Sequence, residues 1–181
     1  MSRKTLAVSG LLAAALTATL APTAQAASST ITRAEYDKVK LGASISKMHS
    51  VAGRGACKLT SSSGGSGYSS KVYECKGNKQ YSSAMFSFGN GKLGMKSQGG
   101  LDGKKSNGKM TKAKYKKITK GKTIAQMHDI AGKGVCVRVA DAEATGAKSA
   151  SYTCEQSSTY GSASFTFTNN KVISRAQYGL R

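Results

Sequence analysis

The sequence predicts an α+β protein built from two tandem copies of one small module, each running helix, helix and then an antiparallel β-meander. Three observations predict it. A single ungapped offset of 79 residues superposes the segment near 31–101 on the segment near 110–180. The four cysteines obey the same offset, Cys57 and Cys75 falling on Cys136 and Cys154. Within each copy the apolar spacing changes from the threes and fours of a helix to the alternation of a strand once the first cysteine is passed.

The amino terminus reads as a separate element. Arg3 and Lys4 precede an apolar run over 6–20, followed by Pro22 and the small-residue triplet Ala24-Gln25-Ala26. This pattern predicts a signal peptide over 1–26, cleaved after Ala26. The apolar run is short of the roughly 20 residues that span a bilayer, and no stop-transfer flank follows, so the expected product is secreted, extracellular and free of membrane insertion. Beyond the leader the expected organisation is a first module over 27–99, a Gly- and Lys-rich linker over 100–109, and a second module over 110–181, acting as a monomer.

The repeat keeps its register throughout. Thr32 falls on Thr111, Tyr36 on Tyr115, Gly42 on Gly121, Met48-His49 on Met127-His128, and Gly53 on Gly132. Downstream, Tyr73-Glu74-Cys75 falls on Tyr152-Thr153-Cys154, and Phe86-Ser87-Phe88 on Phe165-Thr166-Phe167. Self-similarity at a fixed period is the signature of duplicated supersecondary units.

Each element has a local reason. Thr32 with Glu35 three residues on forms a capping box that opens a short helix through Val39, with Tyr36 and Val39 on one face, and Gly42 ends the turn. Ser44 caps a second helix that places Ile45, Met48 and Ala52 on one stripe and stops at Gly53; its twin spans 123–132. The segments 68–73 and 81–88 then alternate, and Asn90-Gly91 predicts a hairpin turn before Leu93. A sheet covered by helices on one side leaves the other to solvent. Two modules side by side therefore predict one extended β-surface.

Four cysteines allow three pairings, and only Cys57–Cys75 with Cys136–Cys154 respects the repeat. Export permits disulfides, and neither cysteine of a copy has a second ligand at zinc-site spacing. No metal site and no cofactor motif is predicted.

The chain carries 28 Lys and Arg against 8 Asp and Glu, a net charge of +20. Without Arg3 and Lys4 the mature part keeps 26 − 8 = +18. Such a field attracts nucleic acid, anionic wall polymers or the acidic face of a protein. Enzyme readings find little support. His49 and His128 occupy the same helical position in the two copies, as a packing residue does, and the scattered acids give no paired-carboxylate motif. Gly121-Lys122-Thr123 resembles part of a phosphate-binding loop, but Lys116 stands where the leading glycine belongs, and Thr123 reads as a helix cap.

On these residues each copy resembles one module of the β-lactamase inhibitory protein family: the Tyr36-x5-Gly42 and 44–53 helical pattern, the Cys57 and Cys75 pair, the Phe86-Ser87-Phe88 strand, their twins, and the final strand over 172–180. The resemblance covers nearly the whole mature chain. It implies a helix-loop-helix packed on a four-stranded antiparallel sheet in each module. It also implies a non-enzymatic protein inhibitor, whose sheet clasps a class A β-lactamase while a loop from each module enters the substrate cleft. The loop that matches the family's inhibitory aspartate loop is Lys76-Gly77-Asn78-Lys79-Gln80, which is shorter and carries Lys79 near the expected acid. A lysine cannot imitate a penicillin carboxylate. In the second module Tyr160 stands where a phenylalanine is expected. Thr166 and Tyr178 stand where tryptophan anchors are expected, and the chain has no tryptophan. These departures point to a different lactamase or another secreted enzyme.

The same surface follows from the residues alone. Tyr73, Tyr81, Tyr152, Tyr160 and Tyr178 form a candidate aromatic patch on the exposed sheet, with Asn78 and Lys79 in the adjoining loop. Lys71, Lys92 and Lys171 are candidates for a polar rim. The alternative partner is an anionic polymer, teichoic acid or nucleic acid, which the lysine run over 112–122 would serve.

Overall fold

The computed structural model describes residues 28–101 and 106–181. The predicted leader, 1–26, lies outside the described residues. The elements run α1 (Arg33–Lys38), α2 (Ile45–Ala52), β1 (Cys57–Gly65), β2 (Tyr68–Lys76), β3 (Ser83–Gly89) and β4 (Lys92–Gly99), then α3 (Lys112–Lys117), α4 (Ile124–Ala131), β5 (Cys136–Ala144), β6 (Ala147–Gln156), β7 (Gly161–Thr168) and β8 (Lys171–Tyr178). Each module is thus two helices and a four-stranded antiparallel sheet.

The helices start where their capping chemistry places them. The Glu35 amide donates to Thr32 Oγ1 at 3.2 Å, and the Thr32 amide donates to Glu35 Oε2 at 2.7 Å. Ser44 and Thr123 accept from Lys47 N and Gln126 N at 3.1 and 3.2 Å. Gly53 ends α2 at φ 86°, and a Cβ there would meet the Ser28 backbone at 3.0 Å. Asn90-Gly91 turns the β3–β4 hairpin with positive φ at both residues, and Asn169-Asn170 does the same for β7–β8. This double left-handed turn matches the twist of paired strands.

All eight strands form one antiparallel sheet in sequence order. The join between modules is a direct pairing of β4 with β5, limited to Met95↔Ala142, Lys96↔Asp141 and Ser97↔Ala140. Each disulfide links directly opposed residues of adjacent strands, Cys57 with Cys75 and Cys136 with Cys154. Two cores of parallel composition lie between sheet and helices. Tyr36, Met48, Phe86, Phe88 and Leu93 fill the first, and Met127, Phe165, Phe167 and Val172 the second.

The sequence pattern gave no strand at β1. Its residues, Cys-Lys-Leu-Thr-Ser-Ser-Ser-Gly-Gly, are exposed after Cys57, because β1 is an edge strand held by β2 and the disulfide rather than by burial. Both ends of the expected linker are anchored. Leu101 is buried in the first core, while Glu155 N donates to Ser106 Oγ at 2.8 Å and Ser157 N donates to Gly108 O at 3.1 Å.

One device recurs in both modules. Lys96, 5% exposed, donates from Nζ to Tyr36 O at 3.0 Å and Val39 O at 2.9 Å, and lies 4.3 Å from the centre of the Tyr36 ring. Its twin Arg175 donates to Tyr115 O and Ile118 O, each at 2.9 Å, and stacks over Tyr115. A cation on the last strand thus satisfies the carbonyls at the end of each module's first helix, which a short helix leaves unpaired. Burial pushes the Lys96 ammonium below its usual range. Lys96→Met keeps the stem and removes the donor, and is expected to cost about 1–3 kcal/mol by denaturant titration; no loss would mean the carbonyls find other donors.

The Tyr36 hydroxyl is buried without a hydrogen-bond partner, and burial raises its pKa above the ordinary 10.0. Because the folded value is the raised one, its contribution is fully present below about pH 10 and is lost as pH climbs above it. Tyr36→Phe is therefore expected to leave stability at pH 7 unchanged or higher and to flatten the alkaline decline. A steeper alkaline decline in the variant would contradict this.

Candidate functional site

The alternation of each strand divides the sheet into two faces. Register partners Tyr73↔Phe86↔Lys96 and Cys75↔Ala84↔Gln98 lie on the helix-covered face, as do Tyr152↔Phe165↔Arg175 in the second module. The neighbouring positions form the open face. Across its middle run Val72, Ser87, Met85, Met95 and Ser97 from the first module, and Ala140, Ala142, Ser149, Ser151, Ser164 and Thr166 from the second. Met85 and Met95 are the large exposed hydrophobics among these. Of the charged side chains on this face, Lys58, Lys76, Lys92, Glu155 and Lys171 sit on the edge strand or near strand ends, and Glu74, opposite Met85, is the one that borders the middle.

This placement corrects two of the sequence candidates. Tyr73 packs against Phe88 and His49 at ring-centre distances of 5.8 and 5.3 Å, and Tyr152, 7% exposed, packs against Phe167 and His128 in the same way. Both belong to the core face, because each lies two residues from a buried cysteine and so shares its side of the strand. The twin histidines are ring-packing partners of these tyrosines. Burial, with the charge of Arg54, lowers the pKa of His49.

The other candidates lie at one end of the sheet, the end that carries the β2–β3 and β6–β7 loops and the last residues of β8. Asn78, Lys79 and Tyr81 occupy the first loop, Tyr160 the second, and Tyr178 stands opposite Ser162 at the end of β8. Tyr81 and Tyr160 are twins. They are 96% and 94% exposed and both have left-handed backbones, φ 57° and 52°; Tyr178 is 78% exposed. A bulky residue held at positive φ costs free energy, of the order of 1 kcal/mol. The first loop is pinned by Ser82, whose hydroxyl donates to Lys79 O at 2.7 Å and accepts from Lys79 N at 3.0 Å. Four strand spacings separate the twin loops, about 19 Å.

Lys71 belongs to the helix-side parity, opposite Phe88, whereas Lys92 and Lys171 flank the far end of the open face. The run over 112–122 belongs to α3 and the turn after it, on the helix side of the sheet. Among the described residues no cluster of three metal-ligating side chains occurs, and no helix is long and apolar enough to cross a membrane. Sequence reasoning missed the paving of the open face, whose signal was present: the residues flanking the buried Ala and Phe residues of β3 and β7 are Ser, Thr, Met or Gly.

Comparison with known proteins fits this geometry. A Streptococcus mutans protein of known crystal structure, provisionally described as a β-lactamase inhibitor protein, superposes with a TM-score of 0.61 at 13% identity, over 82% of this chain and 96% of its own. At that identity the likeness shows the fold. A search of curated proteins returns no match. The family model for β-lactamase inhibitors (BLIP) matches residues 32–154, which carry the helices of both modules, both disulfides, β1 to β5 and most of β6, and the chain belongs to that family.

Proposed function

We propose that the protein is a secreted, monomeric protein-binding module that holds a folded partner on the open face of its sheet, with the loops of Tyr81 and Tyr160 entering the partner's surface in the manner of inhibitors of class A β-lactamases. The observation that carries this reading is the charge distribution. A protein with a strongly basic surface keeps the middle of its open face free of lysine and arginine, with Glu74 the single charge at its border, and places its most exposed tyrosines beside it. Interface centres are depleted of charge and enriched in Tyr and Met, while charged rims speed association with an acidic partner. An anionic-polymer site on this face would need lysines where Ser, Ala and Thr stand. Lys79 in the first loop directs the module toward an enzyme whose cleft accepts a cation.

The test is residual hydrolysis of a chromogenic cephalosporin by a panel of class A β-lactamases, with the mature chain titrated at about 150 mM salt. Stoichiometric, saturable loss of activity supports lactamase inhibition. Its absence across the panel turns the search to other secreted enzymes by pull-down. For whichever partner binds, Tyr81→Gly and Tyr160→Gly separate strain from function, since glycine accepts positive φ freely. Each is expected to leave stability unchanged or raised by up to about 1 kcal/mol, and to weaken binding at least tenfold. Unaltered affinity in both variants would remove these loops from the interface.

A further inference from the structure

The duplication provides an internal control for charge, and it exposes one place where the copies diverge in sign. α1 is balanced: Arg33 pairs with Asp37 at 3.0 Å and Glu35 closes the capping box with Thr32. At the same positions α3 carries Lys112, Lys116 and Lys114. Both acids of α1 have become lysines, and Lys120 and Lys122 follow where Leu41 and Ala43 stand in the first copy.

The substitutions cost the helix local stability. Lys114 N still donates to Thr111 Oγ1 at 3.2 Å, but no carboxylate returns the bond. Lys112 and Lys116 form a like-charge pair one turn apart where the first module has an ion pair, and Lys112 opposes the dipole at the helix start. Lys116 and Lys117 are favourably placed at the helix end. Lys114 is already engaged, donating to Lys109 O at 3.0 Å and Ala131 O at 2.7 Å. That leaves Lys109, Lys112, Lys116, Lys117 and Lys120, all exposed, with no acid among residues 109–122. α3 packs on the helix-covered side, so this patch faces away from the open face of the sheet.

We propose that α3 and the turn after it form a second binding surface, for a flexible phosphodiester polymer, independent of the partner on the open face. Lysines are compact, rotatable point charges that neutralise phosphates without fixing their geometry. Nucleic-acid single strands are held in addition by exposed aromatic rings. Here the ring in α3, Tyr115, packs against Phe165 and lies under Arg175, so the surface reads phosphate and not base. The polymer that fits is a poly(polyol phosphate) without bases, and binding it would leave the sheet free for a protein.

The experiment measures affinity of the mature chain for poly(glycerol phosphate) and for single-stranded DNA of equal charge, between about 50 and 200 mM salt. The patch variant Lys116→Asp/Lys117→Gln/Lys120→Gln removes four charge units; Lys116→Asp restores the ion-pair spacing of α1 and should fold normally, as its melting curve would report. The control Lys40→Glu/Lys47→Glu removes four units from the helix side of the first module. The patch variant is expected to lose at least tenfold in affinity for poly(glycerol phosphate), with the slope of log K against log salt reduced by about 2–3. The control should lose less than threefold, and Tyr81→Gly nothing. Equal losses in patch variant and control, no binding by the unaltered chain at about 50 mM salt, or a tenfold preference for DNA would each overturn the proposal.

Discussion

Removing the Cys57–Cys75 bond, by alanine at both positions, is expected to cost about 2–5 kcal/mol, with the loss concentrated in one strand. Closing a loop of this size contributes on the order of 3 kcal/mol in the chain-entropy model. The strand it holds has little else. β1 is exposed beyond Cys57 and pairs only with β2, so it contributes few apolar contacts. Amide exchange in β1 should accelerate in the variant while β3 and β4 keep more of their protection. The corresponding change at Cys136 and Cys154 should act differently, because β5 lies between β4 and β6 and its release opens the sheet in the middle. A uniform acceleration of exchange in the first case, or a localised one in the second, would contradict this.

Phe86→Ala is expected to cost about 3–5 kcal/mol. Phe86 is fully buried, packs 5.6 Å from the Tyr36 ring and lies opposite both Tyr73 and Lys96. Truncation removes the centre of the first core and leaves a cavity that its β-sheet backbone cannot collapse to fill. The second core, around Phe165, is a separate cluster, and only three register pairs join the two halves of the sheet. Urea unfolding followed by module-specific probes should therefore show the first module lost at lower denaturant while amides around Phe165 remain protected. Coincident transitions at the lowered midpoint would show that the seam couples the modules tightly.

Much of this fold was legible because its signals are local. Thr32 with Glu35, Ser44, Gly53 and Asn90-Gly91 each act within a few residues, and the 79-residue offset let most of them be read twice, the carboxylate half of the Thr32 capping box excepted. The tyrosines show what alternation leaves open. A period of two assigns Tyr73 and Phe86 to faces without saying which face the helices cover. Counting from the disulfide would have decided it, since Tyr73 and Tyr152 each lie two residues before a buried cysteine. β1 was invisible because an edge strand of serine and glycine draws its order from pairing. The seam was invisible for another reason: Met95-Lys96-Ser97 and Ala140-Asp141-Ala142 meet across a long sequence separation, and nothing local in either triplet announces the other. The candidates at this end of the sheet, Asn78, Lys79, Tyr81, Tyr160 and Tyr178, came from the family resemblance and from residue type and position, and the structure adds the left-handed backbones of Tyr81 and Tyr160, which composition cannot carry.

The sequence-ordered sheet has two free margins, and the duplication makes them counterparts of the strands that meet in the middle: β8 corresponds to β4, and β1 to β5. At the centre Lys96 lies opposite Asp141. At the margins the corresponding residues are Arg175 and Ser62, so the same mating between two molecules would set a cation against a hydroxyl, along a border of serine and glycine. A chain assembled by repeating one unit carries the means of its own indefinite extension. Here a serine stands where the aspartate would be, so the margins lack the opposed charges that meet at the seam.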